Sequence, residues 1–293
     1  MDNINVFSET INLIKSNPKL DRLTQQAIES TYVVDEGYVS LKNPSILKSM
    51  ICFEENLTLI TAFRLFDKGK KTAVLNFANP VEPGGGVLRG ANAQEEYLCR
   101  ASNLYSCLKS NQAKSYYLFH NELLQMNQFR SMFLSSDRIV YSSGVTFIRE
   151  DIGYYPDTQC KPVQQYTDNW RSIDVITCAA PFFSGSGYIL PNGDLYHLLC
   201  CRIKNIFELA IEHDIEALVL GAFGCGAFHN PPTIVAKAFS DVLLEKRYLH
   251  AFSDVVFAVK RSGEFCENIE AFDISFQKFP PTGEEREQYL RMI

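Results

Sequence analysis

The segment 72–96 reads TAVLNFANPVEPGGGVLRGANAQEE, and its composition changes from apolar to glycine-rich and polar after Ala78. The run from Thr72 to Ala78 is short and apolar and stops at Asn79-Pro80, which is typical of a buried strand that ends in a loop. Three consecutive glycines follow, and a backbone without side chains can adopt positive φ and lets a ligand lie against its amides. The segment therefore predicts a strand followed by a ligand-binding loop, although an ordinary tight turn is the alternative for the glycines alone.

Similar apolar runs recur on the C-terminal side and alternate with helical patterns. The runs span 138–147, 173–180, 216–223 and 254–260, and the helical patterns span 94–108, 115–126, 195–213 and 233–247. Strands that alternate with helices predict an α/β domain whose sheet is covered on both sides.

The rest of the chain divides at two places. Residues 1–65 carry helix-like periodicity without strong strand signals, and the last residues are acidic and follow Pro280-Pro281. We therefore expect a helical N-terminal extension at 1–65 packed on the main domain, the main domain itself at 66–279, and an acidic C-terminal tail at 280–293.

Composition excludes several classes of protein. Lys and Arg total 28 against 34 Asp and Glu over 293 residues, which gives a formal net charge of -6. We find no basic run for a nucleic-acid backbone, no apolar stretch long enough to cross a membrane, and no basic-then-apolar start typical of a secretory signal. We expect a soluble protein that has no transmembrane segment and binds no nucleic acid.

Neither disulfides nor a metal are expected from the cysteines and histidines. The nine cysteines are odd in number and contain no C-x-x-C pair, which favours reduced thiols in a cytoplasm-like compartment. The five histidines are scattered, and Cys200 and Cys201 are too close for both to face one ion from a regular helix. We expect no metal and no cofactor.

Two adjacent carboxylates, Glu95 and Glu96, follow the glycine loop closely enough to fold back over it. A carboxylate against apolar walls, or beside a second carboxylate, has a raised pKa and can hold a proton near neutral pH, as a general acid must. Adjacent helix residues diverge by about 100°, so we expect one of the two to face a reacting atom and the other to bind a hydroxyl or tune its neighbour. A solvated helix start is the alternative. Arg89 and Arg100 are expected to be solvated or at the edge of a substrate.

A second glycine-rich segment, LVLGAFGCGAFHNPP at 218–232, runs from a buried strand into a loop just before a helix that begins near Thr233. Small residues with free amides at the carboxyl end of a strand, aimed by a helix N-terminus, form a cradle for an anionic diphosphate. A weaker segment at 179–187 also follows a strand, and we expect it to line the same crevice.

Two aromatic residues and one cysteine of the second loop have competing explanations. We expect Phe223 in the core, and Phe228 either in the core or stacked on a ribose or a base. Cys225 with His229 is a poor nucleophile and base pair, since two prolines constrain the turn and no third group is evident.

Taken together, the two segments resemble the microbial-type poly(ADP-ribose) glycohydrolases of the macrodomain superfamily. The resemblance covers roughly residues 5–265. It rests on the order Asn-Phe-Ala-Asn-Pro at 76–80, Gly-Gly-Gly at 84–86, Gln-Glu-Glu at 94–96, CRASNLY at 99–105 and GAFGCGAFHNPP at 221–232.

The resemblance implies a macrodomain-like three-layer α/β/α sandwich with a mixed central sheet, a helical N-terminal extension and an ADP-ribose ligand. It implies that Glu96 is the catalytic acid/base, that Glu95 contacts substrate hydroxyls and that Gln94 helps to hold the loop. The other substrate-binding residues that it implies are Asn79 at a ribose, Gly84, Gly85 and Gly86 at the diphosphate and distal ribose, and Gly221, Gly224, Cys225, Gly226, Ala227 and Phe228 around the diphosphate.

We therefore expect an ADP-ribosyl hydrolase that cleaves the ribose glycosidic bond and releases ADP-ribose from poly- or mono-ADP-ribosylated protein. An arginine-linked ADP-ribosylated protein is expected as a substrate nearly as strongly as the polymer. A non-catalytic ADP-ribose-binding reader is the alternative function. The acidic tail resembles, in composition, the translocation signals of bacterial effectors delivered by type IV secretion; a solvated final helix is the other explanation.

Overall fold

The computed structural model describes residues 2–44, 49–126, 136–151, 153, 164–182, 191–264 and 266–277. The expected acidic tail at 280–293 and the 183–187 part of the third loop lie outside the described residues.

Seven strands and several helices make up the described fold. The strands are β1 (Tyr32–Val34), β2 (Met50–Glu54), β3 (Thr72–Phe77), β4 (Ile139–Asp151), β5 (Gln164–Cys178), β6 (Ala217–Leu220) and β7 (Asp254–Ala258). The helices are α1 (Asn3–Ser16), α2 (Pro18–Glu29), α3 (Thr58–Asp67), α4 (Gln94–Ala101), α5 (Leu104–Leu108), α6 (Lys114–Gln125), α7 (Asn192–Glu212), α8 (Pro232–Leu243) and α9 (Glu267–Phe276), with a short 3₁₀ helix at Val87–Arg89.

All seven strands form one sheet in the order β1-β4-β5-β3-β6-β7-β2. The five strands β5, β3, β6, β7 and β2 run parallel, whereas β1 and β4 pair antiparallel at one side. The sheet is therefore mixed, and five strands end at the same edge.

Helices cover both faces of the sheet because the strand side chains alternate. Leu75 of β3 packs in a core cluster with Leu199 of α7 and Phe239 of α8, whereas its neighbour Val74 packs in a second cluster with Leu59 of α3. Each face buries a continuous apolar core, which is the main stabilising contribution in such a fold. The α/β/α sandwich with a mixed sheet is thereby confirmed.

The N-terminal segment differs from the expectation that it lacks strands. Its helices α1 to α3 are present, but β1 and β2 also lie in it and form the two edges of the sheet. These strands have three and five residues, too few for a clear alternating pattern, and they are held by pairing with β4 and β7. The division at residue 65 stays a prediction.

The helical pattern at 94–108 forms two helices instead of one. The chain breaks between Ala101 and Leu104, where Asn103 N donates to Thr146 O at 3.2 Å and Ser102 forms a bridge with Phe147. The tertiary contact with β4 therefore outweighs the local helical preference. Within the described ranges, no helix is long and apolar enough to cross a membrane, and no group of three or more His, Cys, Asp or Glu side chains is arranged to hold a metal ion.

Candidate active site

A cavity of about 430 Å³ lies at the edge of the sheet where the parallel strands end. Each of the five segments that leave these strands contributes to its lining. Asn56 follows β2, Gln94 follows β3, Ala180 follows β5, Gly226 follows β6 and Lys260 follows β7. Open α/β sheets bind ligands in the crevice outside the carboxyl ends of their strands, and the expected crevice lies there.

Glu96 lies in the first turn of α4, with both carboxylate oxygens held by backbone amides. Its Oε1 accepts a hydrogen bond from Gly86 N at 2.7 Å, and its Oε2 accepts one from Ala93 N at 3.0 Å. Ala93 lines the cavity, so one hydrogen bond joins the Glu96 carboxylate to the cavity wall. A carboxylate has about four lone-pair sites, so acceptor capacity is left for a substrate.

Glu95 is directed instead toward the end of β3. Its Oε2 accepts from Asn79 N at 2.7 Å, and its Oε1 lies 3.4 Å from Asn76 Nδ2. Burial raises the pKa of Glu95 to about 8, with a smaller contribution from the charge of Glu96 and against the opposing hydrogen bond from Asn79. Glu95 therefore holds a proton at neutral pH, whereas the resemblance gives the proton-transfer role to Glu96.

Gly85 brings the glycine loop into contact with both carboxyl groups. Its φ is +56°, and an added Cβ would lie 2.5 Å from Glu96 Oε1 and 3.1 Å from Glu95 Oε2. Only glycine fits a left-handed backbone at such an approach. Gly84 and Gly86 lie on either side of it, packed against Tyr105 and Ala91 respectively.

Side-chain amides fix the chain on both sides of the loop. Gln94 Oε1 accepts from Phe77 N at 2.9 Å and its Nε2 donates to Leu75 O at 2.8 Å, so Gln94 ties the start of α4 to the end of β3. Asn79 Oδ1 accepts from Val81 N at 2.9 Å. The Asn79 side-chain oxygen thus holds the loop, where the resemblance implied a contact with ribose.

The second loop closes around Gly224. Its φ is +73°, and an added Cβ would lie only 2.1 Å from Asn230 Nδ2, which donates to Pro181 O at 2.9 Å. Asn230 N also donates to Gly224 O at 3.0 Å. By contrast, an added Cβ at Gly226 would have no neighbour within 4 Å, and Gly226 lines the cavity. At Gly221 an added Cβ would lie 2.7 Å from Ala258 O.

The aromatic residues and the cysteine of this loop have separate positions. Phe223 is fully buried, as expected for a core residue, whereas Phe228 lines the cavity and packs edge-on against Phe182 with ring centres 5.3 Å apart. Burial raises the pKa of the Cys225 thiol far above its usual range. Cys225 is therefore held as a neutral thiol, and a thiolate nucleophile is disfavoured.

The predicted residues gather around one cavity but only some of them line it. Those that line it are Gln94, Gly224, Gly226, Ala227 and Phe228. Those that do not line it are Asn79, Gly84, Gly85, Gly86, Gly221 and Cys225 in the surrounding loops and Glu95 and Glu96 on α4.

Sequence reasoning missed several polar lining residues. Lys260 and Ser262 follow β7, whose strand pattern is clear in the sequence, so the rule that parallel strands end at one edge would have found them. Asn56 and Thr58 follow β2, a strand without a clear sequence signal, and Asn268 lies on α9.

The structure contradicts the expectation that Arg100 is solvated or at the edge of a substrate. It is only 2% exposed, and its Nη1 and Nη2 donate to Ala91 O and Asn92 Oδ1, each at 2.6 Å. Arg100 therefore holds the spacer between the glycine loop and α4. Arg89, in contrast, is exposed and pairs with Glu82 at 2.6 Å.

The fold and the site define a macrodomain-like protein with two glycine-rich loops and a carboxylate pair around one cavity. Residues 8–150 match the family model described as microbial-type PARG, catalytic domain, where PARG is poly(ADP-ribose) glycohydrolase. Over these residues the chain is therefore similar to the microbial-type poly(ADP-ribose) glycohydrolases.

Solved bacterial structures extend this similarity over most of the chain. The poly(ADP-ribose) glycohydrolase from Thermomonospora curvata is 28% identical, with 94% of this chain and 99% of that chain covered and a TM-score of 0.81. Its complex with the inhibitor ADP-HPD is 29% identical, with the same coverage and a TM-score of 0.78. The Deinococcus radiodurans enzyme in complex with ADP-ribose is 29% identical, with 87% and 96% covered and a TM-score of 0.71. No curated protein matches the sequence.

Proposed function

We propose that this protein hydrolyses the ribose glycosidic bonds of poly(ADP-ribose) and releases ADP-ribose, with Glu96 as general acid and base. The observation that carries the proposal is the closure of the glycine loop on Glu95 and Glu96 beside the cavity, with Gly86 N held 2.7 Å from Glu96 Oε1. A reader that only binds ADP-ribose needs a cradle for the diphosphate but no carboxylate pair at the distal ribose.

The cavity suits one ADP-ribose unit. Its volume of about 430 Å³ falls in the range of small-molecule sites. The backbone of 224–228 would hold the diphosphate through amides, with Lys260 as a charged side chain in the lining. This arrangement assigns the distal ribose to the carboxylate end of the cavity, next to Ala93.

Bond cleavage needs a proton on the leaving oxygen and an activated water. Breaking a bond at the anomeric carbon of ribose builds oxocarbenium-like positive charge, and Glu96 would protonate the departing hydroxyl oxygen and then, once ionised, take a proton from the attacking water. The substrate diphosphate adds negative charge beside the carboxyl pair, which favours the protonated form of a carboxylic acid and stabilises the developing cation. A single carboxylate would then suffice.

Glu95 acts in this proposal as a neutral neighbour that positions the site. Burial raises the pKa of Glu95 to about 8, and its contacts with Asn76 and Asn79 hold the end of β3 against α4. The polymer is favoured over an arginine-linked acceptor because the bacterial relatives are poly(ADP-ribose) glycohydrolases by name.

Turnover by the variant Glu96→Gln tests the proposal. We expect kcat for release of ADP-ribose from poly(ADP-ribose) to fall by at least about 100-fold, since positioned proton transfer contributes about 100- to 10,000-fold. Calorimetry should show ADP-ribose binding within about threefold of the unmodified protein. The matched control is Glu82→Gln, an exposed carboxylate on the same loop, which should leave kcat unchanged.

Near-normal turnover by Glu96→Gln would refute the assigned role. Tight binding of ADP-ribose by the unmodified protein without turnover of poly(ADP-ribose) would refute the proposed hydrolase activity and support a reader that only binds ADP-ribose.

A further inference from the structure

A second cavity, of about 300 Å³, borders the glycine loop at Pro83. Pro83 forms part of its wall, and the next two residues lead to Gly85, which contacts Glu95 and Glu96. Two residues of extended chain span at most about 7 Å, so the two sites are close neighbours. The remaining wall comes from the end of α5, the start of α6 and the turn between them.

The position of this cavity relative to the loop is fixed by direct contacts. Asn121 of α6 lines the cavity and its Nδ2 donates to Val81 O at 3.1 Å. Gly84 packs against Tyr105 of α5, where an added Cβ would lie 2.7 Å from Cδ2. The glycine loop is thus held between the catalytic carboxylates and the helices that form the second cavity.

The lining of the second cavity combines an apolar part with basic and polar groups. Leu108, Tyr117 and Leu118 form the apolar part together with Pro83. Lys109 and Lys114 contribute the charged groups, Ser110, Asn111 and Asn121 contribute neutral hydrogen-bonding groups, and none of the described residues that line it is acidic. Over the part of the chain that the structure describes, neither lysine forms a salt bridge, and Lys109 Nζ lies 5.7 Å from the ring centre of Tyr105. These two charges are therefore open to an anion from solution, in a chain whose net charge is -6.

Such a lining fits an anion of the diphosphate class. In poly(ADP-ribose) the hydroxyl that leaves belongs to the adenosine ribose of the next unit, and that ribose carries its own diphosphate a few bonds away. An ammonium group binds phosphate as a compact charge, and neutral amides and hydroxyls supply further hydrogen bonds.

We infer that the cavity formed by Pro83, Lys109, Ser110, Asn111, Lys114 and Asn121 binds the diphosphate of the ADP-ribose unit on the leaving-group side of the bond. This inference rests on the proposed function and adds a substrate preference to it: the site distinguishes the polymer from ADP-ribose attached to an uncharged group. The preference acts on binding, because the lysines contact the leaving unit and not the reacting atoms.

The test uses the double variant Lys109→Gln/Lys114→Gln and two substrates. One substrate is poly(ADP-ribose), and the other is an ADP-ribose derivative with an uncharged aryl leaving group on the distal ribose. The control is Lys68→Gln/Lys246→Gln, which removes the same charge from two exposed lysines near the opposite edge of the sheet, before β3 and before β7.

We expect the KM for polymer to rise by about tenfold in the double variant, with kcat unchanged, because uniform binding is lost. The slope of log KM against log salt concentration should become shallower by about 1.4, since two phosphate contacts are removed and each contributes about 0.7 on a single-stranded polymer. The aryl substrate and the control variant should behave as in the unmodified protein, and thermal unfolding should be unchanged.

An unchanged KM for polymer, or an equal rise with the aryl substrate or in the control variant, would overturn the inference while leaving the proposed function intact. Hydrolysis of the aryl substrate but not of the polymer by the unmodified protein would remove both the polymer assignment and the inference. Failure to hydrolyse either substrate would refute the proposed function itself.

Discussion

Replacing Glu95 with Gln removes a carboxyl group at the site whose pKa is raised by burial. The side chain is 2% exposed, and its folded pKa of about 8 lies well above the ordinary value of 4.5. Below pH 4.5 the carboxyl is protonated in both the folded and the unfolded chain, so no penalty arises. Between pH 4.5 and 8 the folded chain binds one more proton than the unfolded chain, so this group makes stability fall as the pH rises.

The size of the effect follows from the pKa difference. Each pKa unit corresponds to about 1.4 kcal/mol, so the full difference between 4.5 and about 8 is worth about 5 kcal/mol above pH 8. Between pH 5 and 8 the free energy of unfolding of Glu95→Gln should gain about 4 kcal/mol relative to the unmodified protein. The Gln oxygen can still accept from Asn79 N, whereas its NH₂ would face Asn76, which costs about 1 kcal/mol independently of pH.

Urea unfolding at pH 5, 6, 7 and 8, followed by tryptophan fluorescence and circular dichroism, measures this difference directly. Glu36→Gln, which removes a carboxyl from an exposed turn, is the matched control and should show no such gain. Parallel stability curves for Glu95→Gln and the unmodified protein over this pH range would refute the reasoning. They would mean that Glu95 is ionised in the folded protein at neutral pH.

Two further predictions concern the glycine loops. Gly85→Ala places a Cβ 2.5 Å from Glu96 Oε1. This variant should lower kcat/KM by at least about 100-fold and the free energy of unfolding by about 1 to 2 kcal/mol. Turnover and urea unfolding measure the two effects, and unchanged activity would contradict the contact. Gly224→Ala should unfold at lower temperature because its Cβ would lie 2.1 Å from Asn230 Nδ2. Gly226→Ala should keep its melting temperature and bind ADP-ribose more weakly in calorimetry, because Gly226 lines the cavity. Equal melting temperatures for the two variants would contradict the loop geometry.

The sequence predicted the elements that have strong local patterns. The run at 72–78 became β3, and the apolar face at 195–213 became α7, whose residues Leu199, Ile203 and Ile206 are fully buried. Hydrophobic periodicity is a local property, so a long helix or a buried strand shows it without knowledge of the rest of the chain. The edge strands β1 and β2 are short and depend on pairing partners more than a hundred residues away, so no local pattern identifies them.

For the site, the sequence identified the residue types and their loops but not the direction of each side chain. Adjacent helix positions predict that Glu95 and Glu96 diverge, yet the groups that each carboxyl contacts depend on β3 and the glycine loop. Arg100 shows the same limit, because its hydrogen bonds to 91–92 exist only once α4 has packed under that spacer.

The amino-acid sequence by itself determined the α/β class, the two glycine-rich loops, the carboxylate pair and the resemblance that names the family. Only the tertiary structure decided that five strands end around one cavity, that burial raises the pKa of Glu95, and that a second cavity with two lysines borders the loop at Pro83. The physical reason is that composition and periodicity act over a few residues. Burial, electrostatic perturbation and cavity shape arise from groups that are distant in the chain and meet only after packing.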